Sequence, residues 1–391
     1  MQSKEVRMKK VSLIIITLNL LLISGCSWFG GDDEDVIYKP APLNDITEQF
    51  HVKYNWSSQV GDGVGDFYNK LGPVSYDGKV IAADKNGLVA AYDIVTGKVI
   101  WQKEVGSELF GGVGAGSGIV AVGSTEAEVI ILDVKTGAEL WRNLVSSEII
   151  SSPVIGDGKV VVRTIDGKLF ALNAKTGERD WIYDRTVPAL TLRGTSSISI
   201  ERGVAVTGFA NGKIVLFAMS NGRPIWEMRV GNPSGSSELD RMIDADATPV
   251  IFGDIIYAVT FNGNIAAFNL KDGSISWQRE LSSYQNMSVG GQIISVSDTR
   301  SNVKALDRRT GATLWTQSSL VDRHLTATIS FGEYLVAGDF EGYIHWFDRN
   351  TGRIVSRNSL GGGGIVADPV VIGDTMYIYT RDGSLYSFDA P

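Results

Sequence analysis

One short pattern, Asp-x-x-Thr-Gly-x-x-x-Trp, recurs along this chain about every forty residues. Its first copy runs from Asp93 through Thr96 and Gly97 to Trp101. Seven copies can be followed, some with substitutions, and they end at Trp101, Trp141, Trp181, Trp226, Trp277, Trp315 and Ser356. A fixed period of this size is typical of architectures in which each unit stacks on its neighbours. The repeat therefore predicts one array of similar units instead of several unrelated domains.

Each repeat contains the signals of four short strands joined by tight turns. Between residues 73 and 105, apolar and β-branched runs alternate with the turn pairs Asp77-Gly78, Asn86-Gly87 and Thr96-Gly97. Pairs of this kind favour hairpins between neighbouring strands. Four antiparallel strands in about forty residues are typical of one blade of a β-propeller.

The strand count predicts how the ring closes. After Ser356 the chain has room for only three more strands. The missing outer strand is expected at residues 51–57, because Trp56 lies about one repeat before Trp101. We therefore predict an all-β, eight-bladed β-propeller over residues 49–391, with four antiparallel strands per blade and the ring closed by the N-terminal strand. The alternative, seven blades and a loose strand, would leave residues 365–389 as an unpaired sheet.

Each position of the motif has a predicted physical role. The Asp accepts backbone N–H groups in the turn, and the Gly adopts a positive φ. The indole lies on the outer strand against the next blade, where its burial removes roughly 150–250 Å² from water. Structural docking is thus predicted for Trp56, Trp101, Trp141, Trp181, Trp226, Trp277 and Trp315. The junction at Ser356 lacks an indole and is expected to be among the first to open.

The N-terminus is predicted to be a lipoprotein signal peptide over residues 1–25. Lys9 and Lys10 precede an apolar stretch that is too short to span a bilayer. The run Leu22-Ile23-Ser24-Gly25-Cys26 resembles the bacterial lipobox, which implies cleavage before Cys26 and a lipid on its thiol. The resemblance also implies sorting to the outer membrane, because Ser27 follows the cysteine instead of the Asp that retains lipoproteins in the inner membrane.

The sequence predicts an acidic, flexible tether over residues 26–48. They contain Gly30-Gly31, the run Asp32-Asp33-Glu34-Asp35 and two prolines, a composition that buries little apolar surface. The whole chain has a net charge of −8. Duplex nucleic acid is therefore excluded as an expected partner, because its binding depends on Lys and Arg that neutralise phosphates.

The repeat resembles the tryptophan-docking motif of the pyrroloquinoline quinone dehydrogenases, which are also eight-bladed. The likeness covers nearly all of residues 51–389, but it concerns turns and packing and not a site. Those enzymes have a vicinal cysteine pair over the cofactor, and calcium ligands with a catalytic Asp. This chain has one cysteine, and its histidines, His51, His324 and His345, show no ligand spacing. We therefore predict no catalytic residue, no metal and no cofactor.

When the lipobox, the chain length and the propeller repeats are taken together, the chain resembles a second family. These are the lipoprotein subunits of the machine that folds β-barrel proteins into the bacterial outer membrane. Residues 187–194 and 239–249 resemble the two stretches through which that family contacts the central barrel subunit. The resemblance implies a non-catalytic scaffold, anchored to the outer membrane and facing the periplasm. Its implied partners are the periplasmic domains of the barrel subunit, and its implied role is to aid the folding and insertion of β-barrel proteins.

The same two stretches can also be interpreted without the family. Both follow the Trp of an outer strand, so both are connections to the next inner strand and share one rim. Leu190 and Leu192 alternate and point to one side beside Arg193, a combination typical of interface hot spots. Asp244 and Asp246 alternate on the adjacent connection. They either hold Arg193 through an intramolecular ion pair or meet a basic group of the partner.

Two further hypotheses remain open at this point. The Gly- and Asp-rich segment 61–72 is a second candidate surface, because it too is a long connection. The alternative function is a periplasmic quinoprotein-like enzyme, or a small-ligand binder that uses the central channel. A channel lined by clustered carboxylates or cations would favour that alternative.

Overall fold

Short apolar runs bounded by glycine turns form thirty-two strands, and these assemble into eight four-stranded antiparallel sheets. The computed structural model describes residues 39–65, 71–185, 196–232 and 242–391. The described ranges consist of strands and turns, and no helix within them is long and apolar enough to cross a membrane. The predicted all-β, eight-bladed propeller is confirmed.

The first sixteen strands extend from the N-terminal strand to the middle of the fourth blade. In chain order they are β1 (Tyr54–Gln59), β2 (Val74–Tyr76), β3 (Lys79–Ala83), β4 (Leu88–Asp93), β5 (Val99–Glu104), β6 (Gly114–Gly116), β7 (Ile119–Gly123) and β8 (Glu128–Asp133). They continue with β9 (Glu139–Leu144), β10 (Val154–Gly156), β11 (Lys159–Arg163), β12 (Leu169–Asn173), β13 (Arg179–Tyr183), β14 (Ser199–Glu201), β15 (Val204–Phe209) and β16 (Lys213–Ala218).

The other sixteen strands complete the ring. They begin with β17 (Pro224–Arg229), β18 (Val250–Phe252), β19 (Ile255–Val259), β20 (Asn264–Asn269), β21 (Ile275–Glu280), β22 (Met287–Gly290), β23 (Ile293–Ser297) and β24 (Val303–Asp307). They end with β25 (Thr313–Gln317), β26 (Ile329–Phe331), β27 (Tyr334–Gly338), β28 (Tyr343–Asp348), β29 (Ile354–Ser359), β30 (Val370–Ile372), β31 (Thr375–Tyr379) and β32 (Ser384–Asp389).

Blades 1 to 7 each consist of four consecutive strands, starting with β2–β5 and ending with β26–β29. Blade 8 combines the two ends of the propeller in the order β30-β31-β32-β1. Its outer strand β1 runs antiparallel to β32, with Gln59 opposite Ser384. The N-terminal strand thus closes the ring, as the strand count predicts.

The core lies between the blades, in the second and third strands of each sheet. These strands are apolar on both faces because each sheet is covered by two others. In β8, for example, Val129, Ile130, Ile131 and Leu132 are completely buried. The first strands of successive blades are neighbours around the centre of the ring.

One rim of the propeller carries two kinds of connection, and we call it the loop rim. The first kind joins the second and third strands of a blade, and the second joins an outer strand to the next blade. Isolated β-bridges link the two kinds, as between Leu109 and Ser124 and between Asp244 and Phe261. The predicted contact segments 187–194 and 239–249 fall in two connections of the second kind. Of these segments, residues 242–249 are described, whereas residues 187–194 and 239–241 lie outside the described residues.

Candidate functional site on the loop rim

Seven of the eight blade junctions share one contact, between the Trp of an outer strand and a turn of the next blade. Trp101 Nε1 donates to the carbonyl oxygen of Val134 at 2.9 Å. Its ring lies on Gly137, where an added Cβ would stand 2.5 Å from the indole Cε3 atom. The equivalent indole–carbonyl bonds, from 2.9 to 3.3 Å, are made by Trp56, Trp141, Trp181, Trp226, Trp277 and Trp315.

The Asp of the motif shapes the turn on which the indole rests. Asp93 Oδ1 accepts hydrogen bonds from Thr96 Oγ1 at 2.7 Å and from Thr96 N at 2.8 Å. These bonds hold the pKa of Asp93 below its ordinary value. The next residue, Gly97, has a φ of 68°, which favours glycine. The spacing of Asp, Thr and Gly is therefore explained by a single turn. The indole of the preceding blade packs on that turn.

The junction between blades 7 and 8 is built differently. β32 and β1 come from opposite ends of the propeller, so no hairpin joins them and no glycine turn faces Ser356. Ser356 instead donates its hydroxyl to the carbonyl oxygen of Phe50 at 2.8 Å. The ring of Phe50 packs against Tyr334 and Trp346, with centroids 4.8 and 5.6 Å away. An aromatic cluster thus occupies the junction that lacks an indole at the motif position.

The segment 41–52, which we call the strap, runs along the outer strand of blade 7. Gln49 N donates to Val355 O at 2.8 Å, and Asn358 Nδ2 donates to Val52 O at 3.0 Å. Leu43 and Ile46 of the strap pack against the apolar core beside β25 to β29. Of the predicted tether, residues 26–38 and with them Cys26 lie outside the described residues, whereas residues 41–48 lie on the propeller.

Two arginines bind the strap, Arg323 from the connection between β25 and β26 on the loop rim and Arg357 from the outer strand β29. Arg323 Nη1 donates to Ala41 O at 3.1 Å, and Arg357 Nη1 donates to Asn44 O at 3.0 Å. Arg323 Nε also donates to Asp339 Oδ2 at 2.8 Å. Burial raises the pKa of Asp339, but hydrogen bonds led by that from His345 outweigh it and hold the net pKa below the ordinary value.

His345 connects the same carboxylate to the second arginine. Its Nε2 lies 2.9 Å from Asp339 Oδ2, and its Nδ1 lies 3.3 Å from Arg357 Nε. A guanidinium can only donate, so Nδ1 accepts and Nε2 carries the proton that faces the carboxylate. Complete burial lowers the pKa of His345, in agreement with a neutral ring. This network explains His345 without a metal or a catalytic role.

The predicted contact residues divide into two sets. Leu190, Leu192 and Arg193 lie outside the described residues. Asp244 and Asp246 are described, and only 1% and 3% of their surface is exposed. Both carboxylates therefore lie inside the rim and not on its outer surface.

Arg163, at the end of β11, is a rim residue that the sequence reasoning missed. It is 4% exposed, and its Cζ lies 5.0 Å from the centre of the Phe209 ring. Burial lowers the pKa of Arg163, and the negative charges of Asp246 and Asp244 oppose that effect. A signal was available, because the last residues of the other second strands are uncharged: Ala83, Gly123, Phe209, Val259, Ser297, Gly338 and Tyr379.

The second candidate surface, residues 61–72, is tied to blade 1 where it is described. Asp62 N donates to Asp84 Oδ2 at 3.0 Å, and Asn86 Nδ2 donates to Asp62 Oδ2 at 2.8 Å. Val64 and Leu71 are buried on either side of residues 66–70, which lie outside the described residues. The described part of this connection is thus anchored at both ends.

The central channel encloses a cavity of about 200 Å³ that is lined mainly by small polar and apolar side chains. Asp368 is the single charged residue among the described residues that line it. Its carboxylate accepts hydrogen bonds from Asn286 Nδ2 at 2.7 Å and from Ala327 N at 3.0 Å. The described lining of this cavity thus contains one charged side chain and no cluster of charges.

Comparison with known proteins decides the family. A family model described as outer membrane protein assembly factor BamB matches residues 85–317 and 299–391. The chain is 46% identical over 379 residues to the outer membrane protein assembly factor BamB of Kangiella koreensis, with 97% of this chain and 95% of the relative covered. The chain belongs to the BamB family. The resemblance drawn from lipobox, length and repeats is confirmed.

Solved structures of a BamB protein and of a quinoprotein are both similar to this fold. The crystal structure of BamB from Moraxella catarrhalis matches with a TM-score of 0.80 and 28% identity, covering 87% of this chain and all (100%) of that chain. A quinohemoprotein alcohol dehydrogenase from Comamonas testosteroni matches with a TM-score of 0.68 and 15% identity, over 86% of this chain and 76% of that chain. The second likeness shows the fold alone. The relatives of the BamB family are named as assembly factors and not as enzymes.

Proposed function

We propose that the protein is a non-catalytic scaffold lipoprotein of the outer-membrane protein assembly complex. In this role it binds the periplasmic domains of the central barrel subunit, BamA, and aids the folding and insertion of β-barrel proteins. The observation that carries the proposal is the match over 97% of the chain to a relative named as an outer membrane protein assembly factor. A rigid ring that displays connections on one rim suits a scaffold of this kind.

The proposed partner surface is the loop rim at blades 3 to 5. Leu190 and Leu192 are proposed as the apolar anchors, with Arg193 as their charged neighbour. Asp244 and Asp246 are assigned an intramolecular role, because their side chains are 1% and 3% exposed. They hold the rim in shape for the partner instead of meeting it directly.

The proposed membrane attachment is a lipid on Cys26, followed by residues 27–38 as a tether. The lipobox pattern supports it, and the protein would then lie at the outer membrane and face the periplasm. Stable attachment requires more than one acyl chain or a second signal, since a single chain binds a bilayer only marginally. Replacement of Cys26 by Ser should release a folded protein into the periplasmic fraction. Retention of that variant in the outer-membrane fraction after a high-salt wash would refute the anchor.

Co-purification with the isolated periplasmic domains of the barrel subunit tests the partner surface. Leu192→Ala and Arg193→Ala should each abolish binding and leave the melting curve unchanged. Leu140→Ala is a matched control, because this leucine is 51% exposed on the outer strand β9, away from the rim. Normal binding by both rim variants would exclude this surface and direct attention to residues 61–72.

A further inference from the structure

A buried arginine joins the two connections that the proposed function assigns to the partner. Arg163 Nη1 donates to Gly208 O at 2.6 Å and to Ser196 O at 3.4 Å. Ser196 is the first described residue after segment 186–195. Its hydroxyl donates to Ala247 O, at 3.2 Å, in the next connection. One guanidinium in blade 3 is thus linked by hydrogen bonds to the ends of both connections.

The charges of Asp244 and Asp246 also favour a link between Arg163 and the second connection. Asp244 and Asp246 lie within the second connection, nearly fully buried, and their negative charges favour the charged form of Arg163. The segment that carries them is also fixed by backbone bonds, from Ala245 N to Phe209 O at 3.3 Å and from Phe261 N to Asp244 O at 2.8 Å. Buried carboxylates are stabilised by hydrogen bonds and by nearby positive charge, and Arg163 is one such charge for Asp244 and Asp246.

We propose that Arg163 is the positioning residue of the partner-binding rim. By bonding Ser196 and Gly208, it holds the described ends of the two connections, Ser196 and residues 242–249, in the arrangement that binding requires. The identity of the partner rests on the proposed function, whereas the ordering of the rim does not. Since Arg163 is 4% exposed, it acts through Ser196 and Gly208, which it bonds, and not by contact with the partner.

Hydrogen exchange at the rim tests the ordering directly. In the full-length chain carrying Arg163→Met, the amides of Ala245 and Gly208 should exchange on the order of a hundredfold faster, because the bonds to Ser196 O and Gly208 O are lost together with a buried positive charge near Asp244 and Asp246. Both amides are reporters, since Ala245 N bonds Phe209 O and Gly208 N bonds Ser196 Oγ at 3.2 Å. Binding of the barrel subunit's periplasmic domains should weaken by at least roughly tenfold in the same variant, by the same loss of order.

Arg323→Met is the matched control for loss of a buried arginine. Arg323 is 3% exposed, bonds the buried Asp339 and lies on the same rim, but at blade 7. Its replacement should lower global stability while the Ala245 and Gly208 amides keep their protection against opening at the rim. Affinity for the periplasmic domains should also be unchanged. The control thus separates a local role of Arg163 from general destabilisation.

A charge-removal variant distinguishes positioning by charge from simple packing. In Arg163→Met combined with Asp244→Asn and Asp246→Asn, the two buried negative charges are removed together with the guanidinium, so the part of the faster exchange that is due to charge should be reversed. Arg163→Lys should show an intermediate rate, because it keeps the charge but not the planar donor group. A role in packing alone would not be rescued by removing the two charges. If Arg163→Met fails to fold, the exchange rates of Arg163→Lys can still be compared with those of the parent chain.

The outcomes separate this inference from the proposed function. Faster exchange with weaker binding in Arg163→Met, and rescue by the charge-removal variant, support the inference. Unchanged exchange overturns it, even if Leu192→Ala still abolishes binding and the proposed surface stands. Faster exchange with full affinity also overturns it, because order at the rim then has no bearing on the partner. If Leu192→Ala and Arg193→Ala both bind normally as well, the proposed surface fails too.

Discussion

Seven blade junctions and the eighth solve the same packing problem with different parts of the chain. At the seven, an indole reaches a turn in the very next blade, as Trp101 reaches Val134 only 33 residues away. At the eighth, Ser356 bonds Phe50 across 306 residues of sequence. The repeated junctions are thus built by the repeat itself. The closing junction depends on the strap, whose contacts form only when both ends of the propeller have come together.

This comparison predicts different consequences for folding. Contacts between blades that follow one another in the chain can form early, because little loop-closure entropy opposes them. The strap and β1 contribute long-range contacts, which form late and limit the rate of folding. The eighth junction is therefore the step that converts a row of blades into a closed ring without open edges.

Removal of the closing segment should have the largest effect. Deletion of residues 49–58 takes away the end of the strap and most of β1, which leaves β32 as an open edge and Ser356 without its partner Phe50. The protein should fail to fold or should aggregate, as measured by soluble yield and circular dichroism. Deletion of residues 27–38, which precede the strap, should leave folding intact. A melting temperature unchanged by the first deletion would refute closure by the N-terminal strand.

Truncation of one docked indole should be the next largest effect. Trp101→Ala removes a side chain that is 7% exposed, together with its bond to Val134 O. The expected loss in the free energy of unfolding is about 3–5 kcal/mol. Ser356→Ala, which removes one hydrogen bond at the eighth junction, should cost only about 0.5–1.5 kcal/mol. Denaturant titration of both variants measures the contrast, and equal losses would show that the indoles do not carry the seven junctions.

Restoring the motif at the eighth junction should destabilise the protein. Ser356→Trp recreates the consensus, but no glycine turn faces this position, and Ser356 is completely buried beneath Phe50. An indole there must displace the strap, and overpacking of this kind costs about 1–3 kcal/mol. The matched change Trp315→Ser should also destabilise, because Trp315 has its turn at Gly352. A rise in melting temperature for Ser356→Trp would show that the motif, and not its context, determines the junction.

Features that form within one repeat could be predicted from the sequence, whereas contacts between distant segments could not. The blades, the docking indoles and the position of β1 follow from a spacing that can be counted along the chain. From the sequence, residues 41–48 of the strap are expected in a tether, because acidic residues and prolines give no sign that the segment covers the distant β29. Arg163 was visible as an arginine in an apolar strand, but its counter-charges Asp244 and Asp246 come from another blade. Pairings between repeats cannot be derived from the pattern within one repeat.

The buried network at blade 7 predicts the smallest effect, an acid sensitivity that the seven indole junctions do not share. The pKa of His345 in the folded protein lies below its ordinary value because of burial, and Asp339, Arg323 and Arg357 are the charged groups around it. The unfolded chain therefore takes up a proton at this ring below about pH 6.5, where the folded protein does not. Stability from the neutral ring is complete above that pH and is lost as pH falls toward the folded pKa.

The slope contributed by His345 between pH 6.5 and 5 should be at most about 1.4 kcal/mol per pH unit, the value for one proton. The pKa of Asp339 is also lowered, but its contribution is lost only below about pH 4, the range of an ordinary Asp. His345→Gln can still donate to Asp339 and accept from Arg357, so it should remove this slope and differ from the parent chain by a constant amount above pH 7. Denaturant unfolding at several pH values measures both curves. Parallel curves from pH 7 to 5 would show that His345 does not titrate on unfolding, and that the strap is held equally well in acid.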